Sequence, residues 1–140
     1  DKVTKDFFFF FSYTGNPLAC SAALATLSIF ETDNILQKNR ETSDFIWGEM
    51  QALNNLSSHN LPIEHLRRPN LNRSGMIFAF DVLTQNPNFA RDCYAATLAQ
   101  GLLIRPIGNT VYLMPPYTIN HEEISYALQA SIHAVSKAVK

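Results

Sequence analysis

Leu103-Ile104-Arg105-Pro106-Ile107-Gly108-Asn109-Thr110-Val111-Tyr112 sets Gly-Asn between two apolar runs. That pattern marks a two-residue β-hairpin turn. With Gly108 and Asn109 as the turn, Ile107 faces Thr110, Pro106 faces Val111 and Arg105 faces Tyr112. Directly opposed side chains lie about 4.5–5.5 Å apart at Cβ. The register therefore sets a guanidinium fork beside a phenol hydroxyl. Pro106 fits if its missing N–H points away from the paired strand.

Working outward, Leu102 to Arg105 and Thr110 to Met114 read as two antiparallel strands, and Pro115-Pro116 ends the second. Asn120 with Glu123 three residues on starts a helix through a capping box. Ile124, Leu128, Ser131, Ile132, Val135 and Val139 give that helix one apolar stripe, and Lys137 and Lys140 suit its C-terminal end. Before the hairpin, Asn86-Pro87 turns the chain into a helix over about 88–100, with Gly101 where a C-terminal cap belongs. Met76 to Val82 is apolar on both faces and reads as a central strand. A shorter strand over 64–68 is broken by Pro69-Asn70. A helix over about 34–54, capped by Thr32 or Asp33, carries Ile35, Thr42, Ile46, Met50 and Leu53 on one face, and loop signals fill 54–62.

Asn16-Pro17 starts the first helix, which runs to about Glu31, because Asn caps well and Pro is favoured at the first helical position. Its apolar residues leave almost no polar face, the pattern of a buried helix. Residues 1–15 form an irregular lead-in with five consecutive phenylalanines, Phe7 to Phe11. The expected fold is α+β: a small antiparallel or mixed sheet covered by helices, preceded by a long N-terminal helix reaching outside that unit.

Composition sharpens this. The chain has 140 residues, 46% apolar and only 16% charged, against a usual charged share of about 25%. Part of the surface is therefore expected to be covered by something else. The net charge of −1 provides no field for nucleic acid or an acidic membrane. No apolar run reaches the roughly 20 residues of a membrane span. Cys20 and Cys93 give no disulfide framework, and free thiols fit the cytoplasm. The first residue is Asp1 rather than Met, as expected of a processed chain or a piece of a longer one.

Three constellations could carry chemistry. Arg105 with Tyr112 suits a carboxylate, which Arg binds bidentately while Tyr adds a donor; the plain alternative is a surface Arg stacked on a Tyr. Ser12-Tyr13-Thr14-Gly15 ahead of a capped helix start suits a phosphate, or simply caps the helix. Arg67, Arg68 and Arg73 form the only basic cluster, read as a solvated or partner-facing loop. The four histidines are scattered, so no metal site is expected. From these residues alone, a stand-alone carboxylate-binding module stays open beside an enzyme.

Two motifs together resemble a known family. Ser12-Tyr13-Thr14-Gly15-Asn16-Pro17-Leu18-Ala19-Cys20-Ser21-Ala22-Ala23-Leu24-Ala25 resembles the segment after the active-site lysine in class III pyridoxal-phosphate aminotransferases. Arg105-Pro106-Ile107-Gly108, followed by Tyr112-Leu113-Met114-Pro115-Pro116-Tyr117, resembles the C-terminal motif of one branch of that family, and Arg73 to Asp81 resembles the strand between. The resemblance implies a fold-type I homodimer acting on small-molecule substrates with pyridoxal 5'-phosphate. Residues 1–31 would be the segment and connecting helix from the large domain, and 32–140 the C-terminal small domain. It implies that Ser12, four positions before Asn16, reaches the cofactor phosphate of the other subunit. It further implies that Arg105 binds the carboxylate of a keto-acid substrate and that Tyr112 lines the substrate pocket. Phe9, Phe10 and Phe11 stand where relatives carry His or small polar residues. The Schiff-base lysine of the family lies well before Gly15-Asn16-Pro17, and Lys2 and Lys5 are too close to be it. No catalytic residue is therefore expected in this chain, and the fragment by itself is expected to be inactive. Action on an ω-amino acid is the alternative within the family.

Overall fold

The computed structural model describes residues 15–57, 63–67 and 75–139. In order it holds α1 (Pro17–Thr32), α2 (Ile35–Ser57), β1 (Ile63–Arg67), β2 (Phe78–Val82), α3 (Phe89–Leu98), β3 (Thr110–Leu113) and α4 (His121–Ala138). The expected α+β class is what forms. Phe7 to Phe11, Ser12, Arg68, the Pro69-Asn70 break and Arg73 lie outside the described residues. The chain divides into two units, residues 1–35 and 36–140.

In the first unit, α1 starts as its sequence dictates. The Asn16 side chain accepts a hydrogen bond from the Leu18 N–H at 2.9 Å, and Pro17 occupies the first turn. The helix ends where the Asp33 N–H reaches the Ile29 carbonyl, and Asn34 follows at φ +52°, a left-handed setting that Asn tolerates better than most residues. None of its residues is buried, and Leu18 is 81% exposed, which is what the expectation of an apolar helix reaching outside the folded unit implies. An all-round apolar helix needs cover on every side, and on α1 only Phe30 is half-buried.

The second unit builds a core of its own. The sheet has the order β1-β2-β3, antiparallel throughout, so β2 is central as expected. Phe78, Phe80 and Val82 on β2 and Val111 and Leu113 on β3 turn to one buried face. The other face is only partly covered: Ala79, Asp81, Thr110 and Tyr112 are half-buried and the preceding Ile77 is exposed. Phe78 and Phe89 are among the largest fully buried side chains, and such burial contributes about 1.5–3 kcal/mol each.

The helices close over that face. On α2, Ile46 and Met50 are buried and Phe45, Trp47 and Leu53 pack against the core. Two polar residues, Asn39 and Ser43, are also buried, which the apolar stripe had left out. The helix runs on to Ser57, beyond the expected end near 54. On α4, the Asn120 side chain accepts from the Glu123 N–H at 2.9 Å and the Glu123 carboxylate accepts from the Asn120 N–H at 3.0 Å, completing the expected capping box. Ile124, Leu128, Ser131 and Val135 are buried, joined by Ala127, Ala130, Ala134 and Ala138.

Polar ties fix the helices around the sheet. The Asn86 amide donates to the Ala138 carbonyl at 2.8 Å and to Asp92 at 3.1 Å. The Ser125 hydroxyl donates to Glu49 at 3.2 Å, joining α4 to α2. Phe45 of α2 stacks on His121 at the start of α4 with ring centroids 3.9 Å apart.

Candidate functional site

The site grows from the end of α3. Gly101 sits at φ +72°, its N–H reaches the Leu98 carbonyl, and the Leu102 N–H reaches the Thr97 carbonyl. This is the paired-bond pattern of a Schellman end, which needs a left-handed residue and so favours glycine. It sends Leu102 to Pro106 back past α4, where the Tyr126 hydroxyl donates to the Gln100 carbonyl at 2.7 Å.

The hairpin turn then forms as expected. Gly108 takes φ +57°, and Ile107 and Thr110 exchange both backbone hydrogen bonds, at 2.9 and 3.0 Å. The Asn109 carbonyl accepts from the Val82 N–H, and the Thr110 hydroxyl donates to the Asp81 carboxylate at 2.7 Å, so the turn is held against β2.

The expected strand over Leu102 to Arg105 does not form. Pairing on that side of the hairpin stops at the Ile107–Thr110 bridge, and β3 pairs with β2 instead. Pro106 explains this: its ring holds φ near −65°, far from the −140° of an antiparallel strand. The segment diverges from β3, and Arg105 and Tyr112 are not a cross-strand pair. Both line one cavity of about 470 Å³. Leu103, Ile104, Met114 and Pro115 supply apolar wall beside them. Arg105 is exposed and Tyr112 half-buried. The lining suits a carboxylate with an apolar body: a guanidinium fork and a phenol donor among aliphatic walls.

A second, shallower cavity of about 380 Å³ shares Arg105 and adds Ala90, Arg91, Tyr94 and Pro106. The Arg91 Nε donates to the Asp92 carboxylate at 3.1 Å. Hydrogen bonds from Asn86 first, and then from Arg91, hold the Asp92 carboxyl below its ordinary range. The sequence reading did not join Arg91 and Tyr94 to Arg105. Their i, i+3 spacing, which sets them on one helix face, was the available signal.

Ser12 lies outside the described residues, as do Lys2 and Lys5. The described lysines, Lys38 and Lys137, are exposed on α2 and α4. Among the described residues no group of acidic, histidine or cysteine side chains could hold a metal ion. No described helix is long and apolar enough to cross a membrane.

The sequence profile of the class-III aminotransferases matches residues 11–135, and the chain belongs to that family. It is 41% identical, over 99% of its length, to the adenosylmethionine-8-amino-7-oxononanoate aminotransferase of Helicobacter pylori (strain ATCC 700392 / 26695), of which it covers 31%. It is 32% identical to the enzyme of the same name from Geobacter sulfurreducens (strain ATCC 51573 / DSM 12127 / PCA), over 96% of this chain and 30% of that one. The crystal structure of the enzyme of that name from Methanocaldococcus jannaschii DSM 2661 superposes with a TM-score of 0.75 at 28% identity, over 94% of this chain and 30% of that one. The chain thus spans about a third of the length of these relatives. The family implies pyridoxal phosphate in its full-length enzymes.

Proposed function

We propose that the chain is the C-terminal part of a pyridoxal-phosphate-dependent aminotransferase that moves an amino group from S-adenosylmethionine to 8-amino-7-oxononanoate in biotin biosynthesis. The observation that carries this reading is the cavity shared by Arg105 and Tyr112, whose aliphatic walls suit a carboxylate on a long apolar chain. Arg105 binds the carboxylate as a bidentate fork, Tyr112 adds a hydroxyl donor, and Leu103 and Met114 keep water from the chain beside it. Pyridoxal phosphate, when bound, supplies the electron sink for the transfer. Ser12 is the residue of this chain that would reach the cofactor phosphate across a homodimer. The Schiff-base lysine comes from the part of the relatives that this chain does not span, so the 140 residues alone are inactive. Residues 1–31 belong with the large domain and 32–140 form the small one, and the enzyme works in the cytoplasm.

The motif from Tyr112 to Tyr117 favours this substrate over an ω-amino acid. The bare apolar surface of α1 argues against a stand-alone binding module. The test is Arg105→Ala in the full-length enzyme. Leaving a substrate carboxylate without its guanidinium costs about 2–5 kcal/mol, at least 30-fold or so in apparent affinity for the keto acid, while adenosylmethionine turnover chemistry is retained at saturation. Unchanged keto-acid affinity removes Arg105 from the site.

A further inference from the structure

We propose that Arg91, Tyr94 and Arg105 form a second anion subsite, one that takes a phosphate-class dianion. The three side chains line one cavity together with Ala90 and Pro106, and no carboxylate lines it. Arg105 and Arg91 bring two guanidinium groups to one cavity, and an anion there would meet donors from both. Among the described residues, neither Arg105 nor the Tyr94 phenol has a side-chain hydrogen-bond or ion-pair partner, so both keep their donors for a ligand.

Arg91 is anchored rather than consumed. Only its Nε is engaged, by Asp92 at 3.1 Å, which leaves the two terminal nitrogens of the fork free to donate. Asp92 is in turn held by the Asn86 amide, which also donates to the Ala138 carbonyl. The chain Ala138–Asn86–Asp92–Arg91 thus orients the guanidinium from the end of α4. Arg91 lies in the first turn of α3, where the helix dipole adds to the field felt by an anion. Two guanidinium groups and one phenol match a dianion better than a monocarboxylate, and Arg forks bind phosphate oxygens in bidentate geometry. The ligand is free inorganic phosphate or a phosphate monoester; the chemistry of the site is the same for both.

The proposal shares Arg105 with the functional reading above but rests on Arg91 and Tyr94. It is tested on the 140-residue chain by NMR, titrating inorganic phosphate, glycerol phosphate and acetate at constant ionic strength and following the arginine Nε–H and α3 amide signals. Saturable shifts at Arg91 and Tyr94 with phosphate, and tenfold or weaker binding of acetate, are expected. Arg91→Gln should weaken phosphate binding about tenfold, the loss of one charge-assisted contact, and Tyr94→Phe by less. Tyr112→Phe should leave it unchanged. Glycerol phosphate binding as well as phosphate assigns the site to monoesters, and binding of phosphate alone assigns it to the free ion. Shifts that never saturate, or an Arg91→Gln chain that binds phosphate like the parent, overturn the subsite. Weakening by Tyr112→Phe with no change in Arg91→Gln also overturns it, and leaves the substrate role of Arg105 standing.

Discussion

The first and last helices begin with the same kind of signal and end in opposite situations. Asn16 caps α1 and Asn120 caps α4, each side chain accepting a backbone N–H at 2.9 Å. Both helices are rich in alanine and aliphatic residues. Yet α4 buries eight residues and α1 buries none. The difference lies in how the apolar residues are arranged. On α4 they form one stripe with charged residues opposite, so a single sheet and its neighbouring helices satisfy it. On α1 they go all the way round, and no single surface can satisfy that. Local signals decide where a helix starts; the angular spread of its apolar residues decides how many surfaces it needs.

The largest expected effect separates the two regions by stability. Phe89 is 1% exposed in the core of the second unit, and Phe89→Ala should cost about 3–5 kcal/mol. Leu24 of α1 is 67% exposed, and Leu24→Ala should stay within about 0.5 kcal/mol. Trp47, the only tryptophan, packs against the core of the second unit and reports its unfolding in urea. A cost for Leu24→Ala equal to that for Phe89→Ala would break the contrast. In the longer enzyme proposed above, where further surface is available to cover α1, the Leu24 cost should rise toward the core value.

Much of the site's surroundings was legible in sequence because it rests on local chemistry. Gly101 is needed for its left-handed turn, Gly108-Asn109 for the hairpin, and Asn120 with Glu123 for the capping box; each signal spans six residues or fewer. The misreadings depend on partners distant in the chain. Leu102 to Arg105 looks like a strand by composition, but a strand exists only with a paired backbone, and Pro106 turns this one away. Asn39 and Ser43 are buried although an apolar pattern cannot reveal them. The bare state of α1 agrees with the sequence, whose all-round apolarity implies a cover without saying which chain provides it. The hairpin register set Arg105 opposite Tyr112 as a cross-strand pair; that ladder does not form beyond Ile107–Thr110, and the two residues share the lining of one cavity.

A smaller effect tests the caps. Asn120→Ala removes the side-chain half of a capping box on a packed helix, leaving the Glu123 carboxylate on the residue-120 N–H, and should lower the Trp47-monitored stability by about 0.5–2 kcal/mol. Asn16→Ala removes one hydrogen bond from a helix that buries nothing in this chain. It should lower the helical circular dichroism signal through fraying at Pro17 and leave the Trp47 transition where it was. If both variants shift that transition equally, α1 is coupled to the second unit and the contrast fails.

The smallest effect uses the two cysteines as a matched pair. Cys20 lies exposed on α1, and Cys93 is fully buried on α3. Burial disfavours the charged thiolate and pushes the Cys93 thiol up to about 11 from an ordinary 9.0. Because the folded value is the higher one, the neutral thiol is what the fold favours. Its contribution is fully present below about pH 9 and is lost as the pH rises toward 11. At pH 8, a disulfide reagent should therefore modify one thiol at once and the second only at the rate of unfolding. Between pH 9 and 11 the stability of the second unit should decline, and Cys93→Ala should flatten that decline at the expense of some packing. Cys20→Ala should change neither the slope nor the transition, since its side chain lies exposed on a helix that buries nothing. Rapid modification of Cys93 in the folded chain would mean that α3 opens to solvent as freely as α1 faces it, and the division between a self-packed unit and a bare helix would not hold.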